Sequence, residues 1–208
     1  MKSYLFHALF ALLVFAGFSA TAKPFGDDDE NSVTVGAVVK DFTFTDAVGR
    51  EHKLSDYKGK IVVFEWTNPG CPFVQRVYSE SIMQDLQGKY TGTDVIWVAV
   101  NSTNREHRDY REGIEAMKAF QEWKAYFSFL CLDADGTIGK MFHAKTTPHL
   151  FIIDKAQKLV YNGAVDDDPR GTKEQKQNYI AKALDEILAG KSVSTTTTTP
   201  YGCSVKYK

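Results

Sequence analysis

Two stretches, Ile61–Trp66 and Val95–Val100, are apolar at nearly every position and rich in β-branched and aromatic residues. A strand covered on one face alternates in polarity, whereas a run of this kind reads as a strand buried on both faces. After the first run, Thr67-Asn68-Pro69-Gly70 is turn chemistry. Apolar residues then recur with helical spacing at Phe73, Val74, Val77, Ile82 and Leu86, broken near Ser79–Ser81, and Gly88 predicts the stop. Ile114–Lys124 repeats the helical pattern, Phe127–Leu132 and Leu150–Asp154 read as strands, and Ile138–Phe142 as a short helix. Lys155–Lys158 joins Leu150–Asp154 to Leu159–Tyr161 as a hairpin. Asn178–Leu188 is a last helix, closed by Gly190. Nearer the start, Phe42–Thr45 alternates as a strand and Val48-Gly49 follows as a turn. Strands alternating with helices, then a hairpin and a helix, predict one α/β domain over 33–190 with a mixed central sheet flanked by helices.

The segments outside that domain differ in composition. Residues 1–22 combine Lys2, an apolar run from Ala8 to Phe18 and small residues at Ser19–Ala22, the pattern of a cleaved signal peptide. Residues 23–32 form an acidic leader around Asp27-Asp28-Asp29-Glu30. Residues 191–208 open with a Ser/Thr-rich tract and read as an extended tail, clear of the domain, that carries Cys203. The net charge of −1 gives no electrostatic reason to expect nucleic acid or an anionic membrane surface as a partner. A cleaved leader places the mature chain in the periplasm or outside the cell, where a disulfide can persist. No membrane association is expected after cleavage.

Three cysteines follow the leader: Cys71, Cys131 and Cys203. Cys71 sits between a buried strand and a helix opened by Pro72, a residue favoured at the first helical position. Free N–H groups and the helix dipole at such a terminus favour an anion and can lower a thiol pKa from about 8.5 to roughly 3.5–7.5. That context predicts a redox-active thiol. Cys131 lies within the strand pattern Phe129–Leu132 and reads as a buried, inert thiol. Cys203 is open to three uses: a resolving thiol for Cys71, a permanent staple, or an intermolecular bond. Glu65, the one acid in the first strand, either faces a wetter side of the sheet or is buried with a raised pKa and exchanges protons with the thiol. Cys71, Cys203 and His149 lack the spacing of a metal site.

The order of elements, with Cys71-Pro72 at a strand-to-helix turn and Thr146-Thr147-Pro148-His149 before a hairpin, resembles the thioredoxin superfamily. Within it the chain is most similar to exported redoxin-domain proteins of the peroxiredoxin-like branch, the alkyl hydroperoxide reductase/thiol-specific antioxidant group. The resemblance implies a thioredoxin-like three-layer fold, a cis Pro148 facing Cys71, and a buried acid at Glu65. Two departures stand out. Thioredoxins carry a second cysteine three positions after the first, where this chain has Val74. Peroxiredoxins carry Pro-x-x-x-Thr-x-x-Cys, where this chain has Phe64 and Asn68, with only Thr67 able to offer a nearby hydroxyl.

The expected function is therefore an exported thiol–disulfide oxidoreductase with Cys71 as nucleophile, Cys203 as its resolving thiol, and Glu65 and Pro148 completing the site. Two other readings are a thiol peroxidase and a partner-binding module whose cysteines only staple the tail. No organic cofactor is implied. The expected partners are protein thiols and disulfides, or a peroxide, together with a reductant.

Overall fold

A computed structural model describes residues 32–92 and 94–208; the expected signal peptide and the acidic run Asp27–Glu30 lie outside them. The chain runs β1 (Thr43–Thr45), β2 (Glu51–Lys53), a 3-10 turn (Leu54–Tyr57), β3 (Ile61–Trp66), α1 (Pro72–Ser79), α2 (Ile82–Tyr90) and β4 (Val95–Asn101). It continues through α3 (Gly113–Glu122), β5 (Phe129–Leu132), α4 (Thr137–Met141), β6 (Thr146–Thr147), β7 (His149–Ile153), β8 (Leu159–Gly163), α5 (Tyr179–Leu188) and β9 (Cys203–Ser204). The central sheet has the order β5-β4-β3-β7-β8. β5, β4 and β3 run parallel, and β7 and β8 are antiparallel to their neighbours.

The side-chain period of two divides the central strands between two cores. Ile61, Val63, Val95, Trp97, Leu150 and Ile152 join Val74, Met83, Phe120 and Leu184 from α1, α2, α3 and α5. Val62, Phe64, Trp66, Val98, Phe151 and Ile153 join Phe44, Leu54, Ile138 and Phe142 on the other face. Covering both faces is why β3 and β4 are apolar at nearly every position. The break predicted near Ser79–Ser81 is present: Ser81 takes a left-handed backbone conformation (φ 60°) between α1 and α2. Asn178 caps α5, its side-chain oxygen accepting from the Ala181 N–H.

Three features differ from the pattern-based expectation. α2 runs past Gly88 to Tyr90, because Leu86, Gln87 and Tyr90 bury one side of its last turn. Gly88 is exposed there, and an added Cβ would meet nothing within 4 Å. Gly88→Ala should therefore raise the unfolding free energy by about 0.5–1 kcal/mol, read from chemical denaturation. Two short strands, β2 and β9, have no period to be read. The tail, finally, is not clear of the domain. Val193, Tyr201 and Cys203 pack on the first core and Val205 on the second. The threonine tract docks by hydrogen bonds: Thr198 Oγ1 accepts from the Ala164 N–H (2.9 Å) and lies 2.7 Å from the Tyr161 hydroxyl. Polar residues can seat a segment in this way without any apolar pattern, provided the receiving surface offers unpaired backbone groups.

Candidate redox site

The site forms where three segments meet. The first is the turn after β3. Asn68 accepts from the Gly70 N–H through Oδ1 (2.7 Å) and from the Cys71 N–H through its carbonyl (2.9 Å), while its Nδ2 donates to Thr103 Oγ1 (3.2 Å). Its side chain is thus committed to shaping the turn. Cys71 is the N-cap of α1, with extended backbone (φ −87°, ψ 122°), and Pro72 opens the helix. The second segment is the cis Thr147–Pro148 peptide between β6 and β7. It lies against Cys71, whose Sγ donates to Thr147 O at 3.0 Å. The Thr147 hydroxyl is buried without a fixed hydrogen-bond partner.

The third segment is the tail. β9 pairs antiparallel with β6, setting Cys203 opposite Thr147. Cys203 Sγ stands 2.8 Å from Cys71 Sγ. Tyr201 latches this strand: its hydroxyl donates to Asp166 Oδ1 (2.6 Å) and accepts from Arg76 NH2 (2.9 Å). Beyond Cys203, Tyr207 donates to Ala144 O and the Lys206 carbonyl accepts from the Asn104 N–H, both at 2.9 Å. The tail strand is therefore pinned on both sides of the sulfur.

Charge is distributed unequally over the two thiols. Burial works to raise the Cys71 pKa, but its neighbours outweigh it: the Cys203 thiol, Thr147, and the N–H groups of Val74 and Cys203 hold it below the ordinary thiol value. Val74 lies in the first turn of α1, so the helix N-terminus contributes directly. Burial and the adjacent Cys71 push Cys203 up to about 11. Of the two thiols, Cys71 is therefore the more readily ionised. Cys131 is 1% exposed on β5, and burial pushes its thiol well up. No contact links it to the other two.

Glu65 is fully buried on the α1 side of the sheet. It accepts from the Tyr78 hydroxyl (2.9 Å), Gln87 Nε2 (3.0 Å) and Trp97 Nε1 (2.8 Å). Burial raises its pKa to about 7, and the three donors limit the rise. His149, after the cis-proline, is 2% exposed. Its Nδ1 accepts from the Lys145 N–H (3.2 Å), so Nε2 carries the proton and donates to Asn162 Oδ1 (2.7 Å). Burial lowers its pKa to about 4, so the ring is neutral at physiological pH.

These two groups give opposing pH dependences. The raised Glu65 pKa contributes stability that is present below about pH 4.5 and lost as the pH climbs to about 7. The depressed His149 pKa contributes stability that is present above about pH 6.5 and lost as the pH falls to about 4. Glu65→Gln removes only the first. The unfolding free energy of the variant minus that of the wild type should rise by about 3 kcal/mol from pH 4.5 to pH 7. A flat difference in urea titrations at the two pH values would refute the buried, raised carboxyl.

A reactive-type cysteine at a strand-to-helix turn, set against a cis-proline over a mixed sheet, defines a redoxin domain of the thioredoxin superfamily. More narrowly, the chain belongs to the AhpC/TSA family, whose model matches residues 35–162. It is 27% identical over 147 residues to the thiol-disulfide oxidoreductase ResA of Geobacillus kaustophilus (strain HTA426), covering 71% of this chain and 78% of that protein. It is 33% identical over 93 residues to the ResA of Geobacillus thermodenitrificans (strain NG80-2), covering 45% and 51%. Two crystal structures share the fold. A hypothetical protein from Sinorhizobium meliloti 1021 superposes with a TM-score of 0.73 at 29% identity, covering 86% of this chain and 97% of its own. An uncharacterized conserved protein from Geobacillus kaustophilus gives 0.74 at 28%, covering 86% and 94%.

The structure brings Cys71, Cys203 and the Thr147–Pro148 peptide together. It places Glu65 in the core beneath α1, bonded to Tyr78, Gln87 and Trp97 rather than to a cysteine. The latch residues Arg76, Asp166 and Tyr201 were not singled out from the sequence. They lie up to 125 positions apart, and no local pattern announces them.

Proposed function

We propose that this chain is an exported thiol–disulfide oxidoreductase whose working pair is Cys71 and Cys203. The observation that carries the reading is the pairing of β9 with β6, which sets the two sulfurs 2.8 Å apart. Val74 stands where thioredoxins keep their second cysteine and is fully buried, so a local disulfide is unavailable. The tail supplies the missing thiol from 132 positions away. Cys71 is the more readily ionised thiol and serves as the nucleophile, and Cys203 closes the disulfide with it. Similarity to proteins named thiol-disulfide oxidoreductase supports the same reaction class. The leader pattern in residues 1–22 supports a periplasmic or secreted location, where protein thiols and disulfides are the substrates. The peroxidase reading gains nothing from the site, since Asn68 stands three positions before Cys71 and is bonded into the turn.

Oxidation by one equivalent of diamide should remove 2 Da from the intact mass, and digestion should recover Cys71 linked to Cys203. Cys71→Ser and Cys203→Ser should each abolish turnover in an insulin-reduction or dithiol-oxidation assay, while Cys131→Ser should retain it. Loss of activity in Cys131→Ser alone would assign the chemistry to the wrong pair. Tyr201→Phe deletes the latch hydroxyl. It should lower the unfolding free energy of the reduced protein by about 1.5–3 kcal/mol in chemical denaturation, the range for a hydrogen bond to a charged group.

A further inference from the structure

We propose that Cys203, rather than Cys71, is the sulfur at which a partner thiol enters the disulfide, with Cys71 as the leaving group and a dithiol as the substrate. This inference rests on the Cys71–Cys203 pair proposed above. In thiol–disulfide exchange the outcome depends on which sulfur can be approached and on which sulfur departs more easily. Both factors point the same way here.

Access differs between the two sulfurs. Cys71 is 2% exposed, beneath the Thr147–Pro148 peptide and the tail strand. Cys203 is partly exposed, and Ser204 after it is exposed. The tail is held down by Tyr201 on one side and by Lys206 and Tyr207 on the other. A thiol arriving from solvent reaches Cys203 with the tail in place, whereas reaching Cys71 requires those contacts to break.

Departure favours the same direction. The donors around Cys71, namely the Val74 and Cys203 N–H groups, are those that would receive a released thiolate. In the first step a partner thiolate RS⁻ bonds to Cys203 Sγ and the Cys203–Cys71 bond breaks. Its electron pair leaves on Cys71 as a thiolate. In the second step the partner's other thiolate attacks the R sulfur of the mixed disulfide, and Cys203 leaves and takes a proton. The partner dithiol is oxidised to a disulfide, and the protein's disulfide is reduced to one thiolate and one thiol.

The test uses the oxidised wild-type protein and glutathione as the entering thiol. The reaction is quenched in acid within seconds, digested, and mapped by mass spectrometry, reading only how the glutathione adduct divides between the two cysteines. At least tenfold more adduct on Cys203 than on Cys71 is expected. An adduct equally or mainly on Cys71 would overturn the inference while leaving the pair intact. Absence of a Cys71–Cys203 disulfide before glutathione is added would instead overturn the pair itself, and the inference with it.

Discussion

Gly202→Ala is expected to leave the domain folded and to weaken the Cys71–Cys203 disulfide at least a hundredfold in glutathione or dithiothreitol buffers. Gly202 has φ +136°, in the region that L side chains rarely adopt. A Cβ there would overlap Thr147 O and lie 2.7 Å from the Thr147 carbonyl carbon and 3.2 Å from Pro148 N. These are backbone atoms of the cis-proline segment, and the same Thr147 O accepts from Cys71. Neither side can swing away as a flexible side chain would, so β9 must separate from β6. A hundredfold loss corresponds to about 2.7 kcal/mol, in the range of one strained backbone residue plus lost strand pairing. Far-UV circular dichroism should match the wild type, because the central sheet does not include β9. An unchanged redox equilibrium in a folded Gly202→Ala protein would show that β9 does not hold the second thiol.

Oxidation of the pair should raise the melting temperature by roughly 10–20 °C at most. The bond joins residues 132 positions apart. For a loop of that size the chain-entropy treatment gives about 5 kcal/mol, and measured effects fall at or below that figure. A chain of this length shifts by roughly 2–4 °C per kcal/mol. The tail is already docked when both thiols are free, so native strain offsets little of the gain. The measurement is calorimetry of the diamide-oxidised and dithiothreitol-reduced protein, with Cys203→Ser as a control that should not respond. Equal melting temperatures would show that the bond adds no constraint on the unfolded chain.

The parts of the site that could be read from the sequence are those with local signatures. Cys71 announced itself because a buried strand, a turn and a helix-opening proline are contiguous. Pro148 came from the resemblance to the thioredoxin superfamily, in which the proline before the hairpin faces the reactive cysteine. Glu65 remained ambiguous, since alternation alone does not say which face of a strand is covered; α1 and α2, arriving later in the chain, decide it by burying the carboxyl among Tyr78, Gln87 and Trp97. The docking of the tail was illegible for a different reason. Thr195–Pro200 has no hydrophobic period, and its seat is a set of backbone groups and glycine gaps elsewhere. Gly163 illustrates this: a Cβ there would approach Thr198 O and N to 2.7 and 2.8 Å. A glycine on β8 and a threonine 35 positions later show their relation only in three dimensions.

Building the second thiol into the tail also sets the order in which the chemistry is completed. As the chain emerges during synthesis, β3, α1 and the cis-proline hairpin can assemble before Cys203 arrives, leaving Cys71 for that interval without its partner thiol. Loss of residues 191–208 would return the protein to that state while leaving all five strands of the central sheet in the chain. Redox competence thus reports on the integrity of the whole polypeptide, where a local Cys-x-x-Cys would report only on one turn.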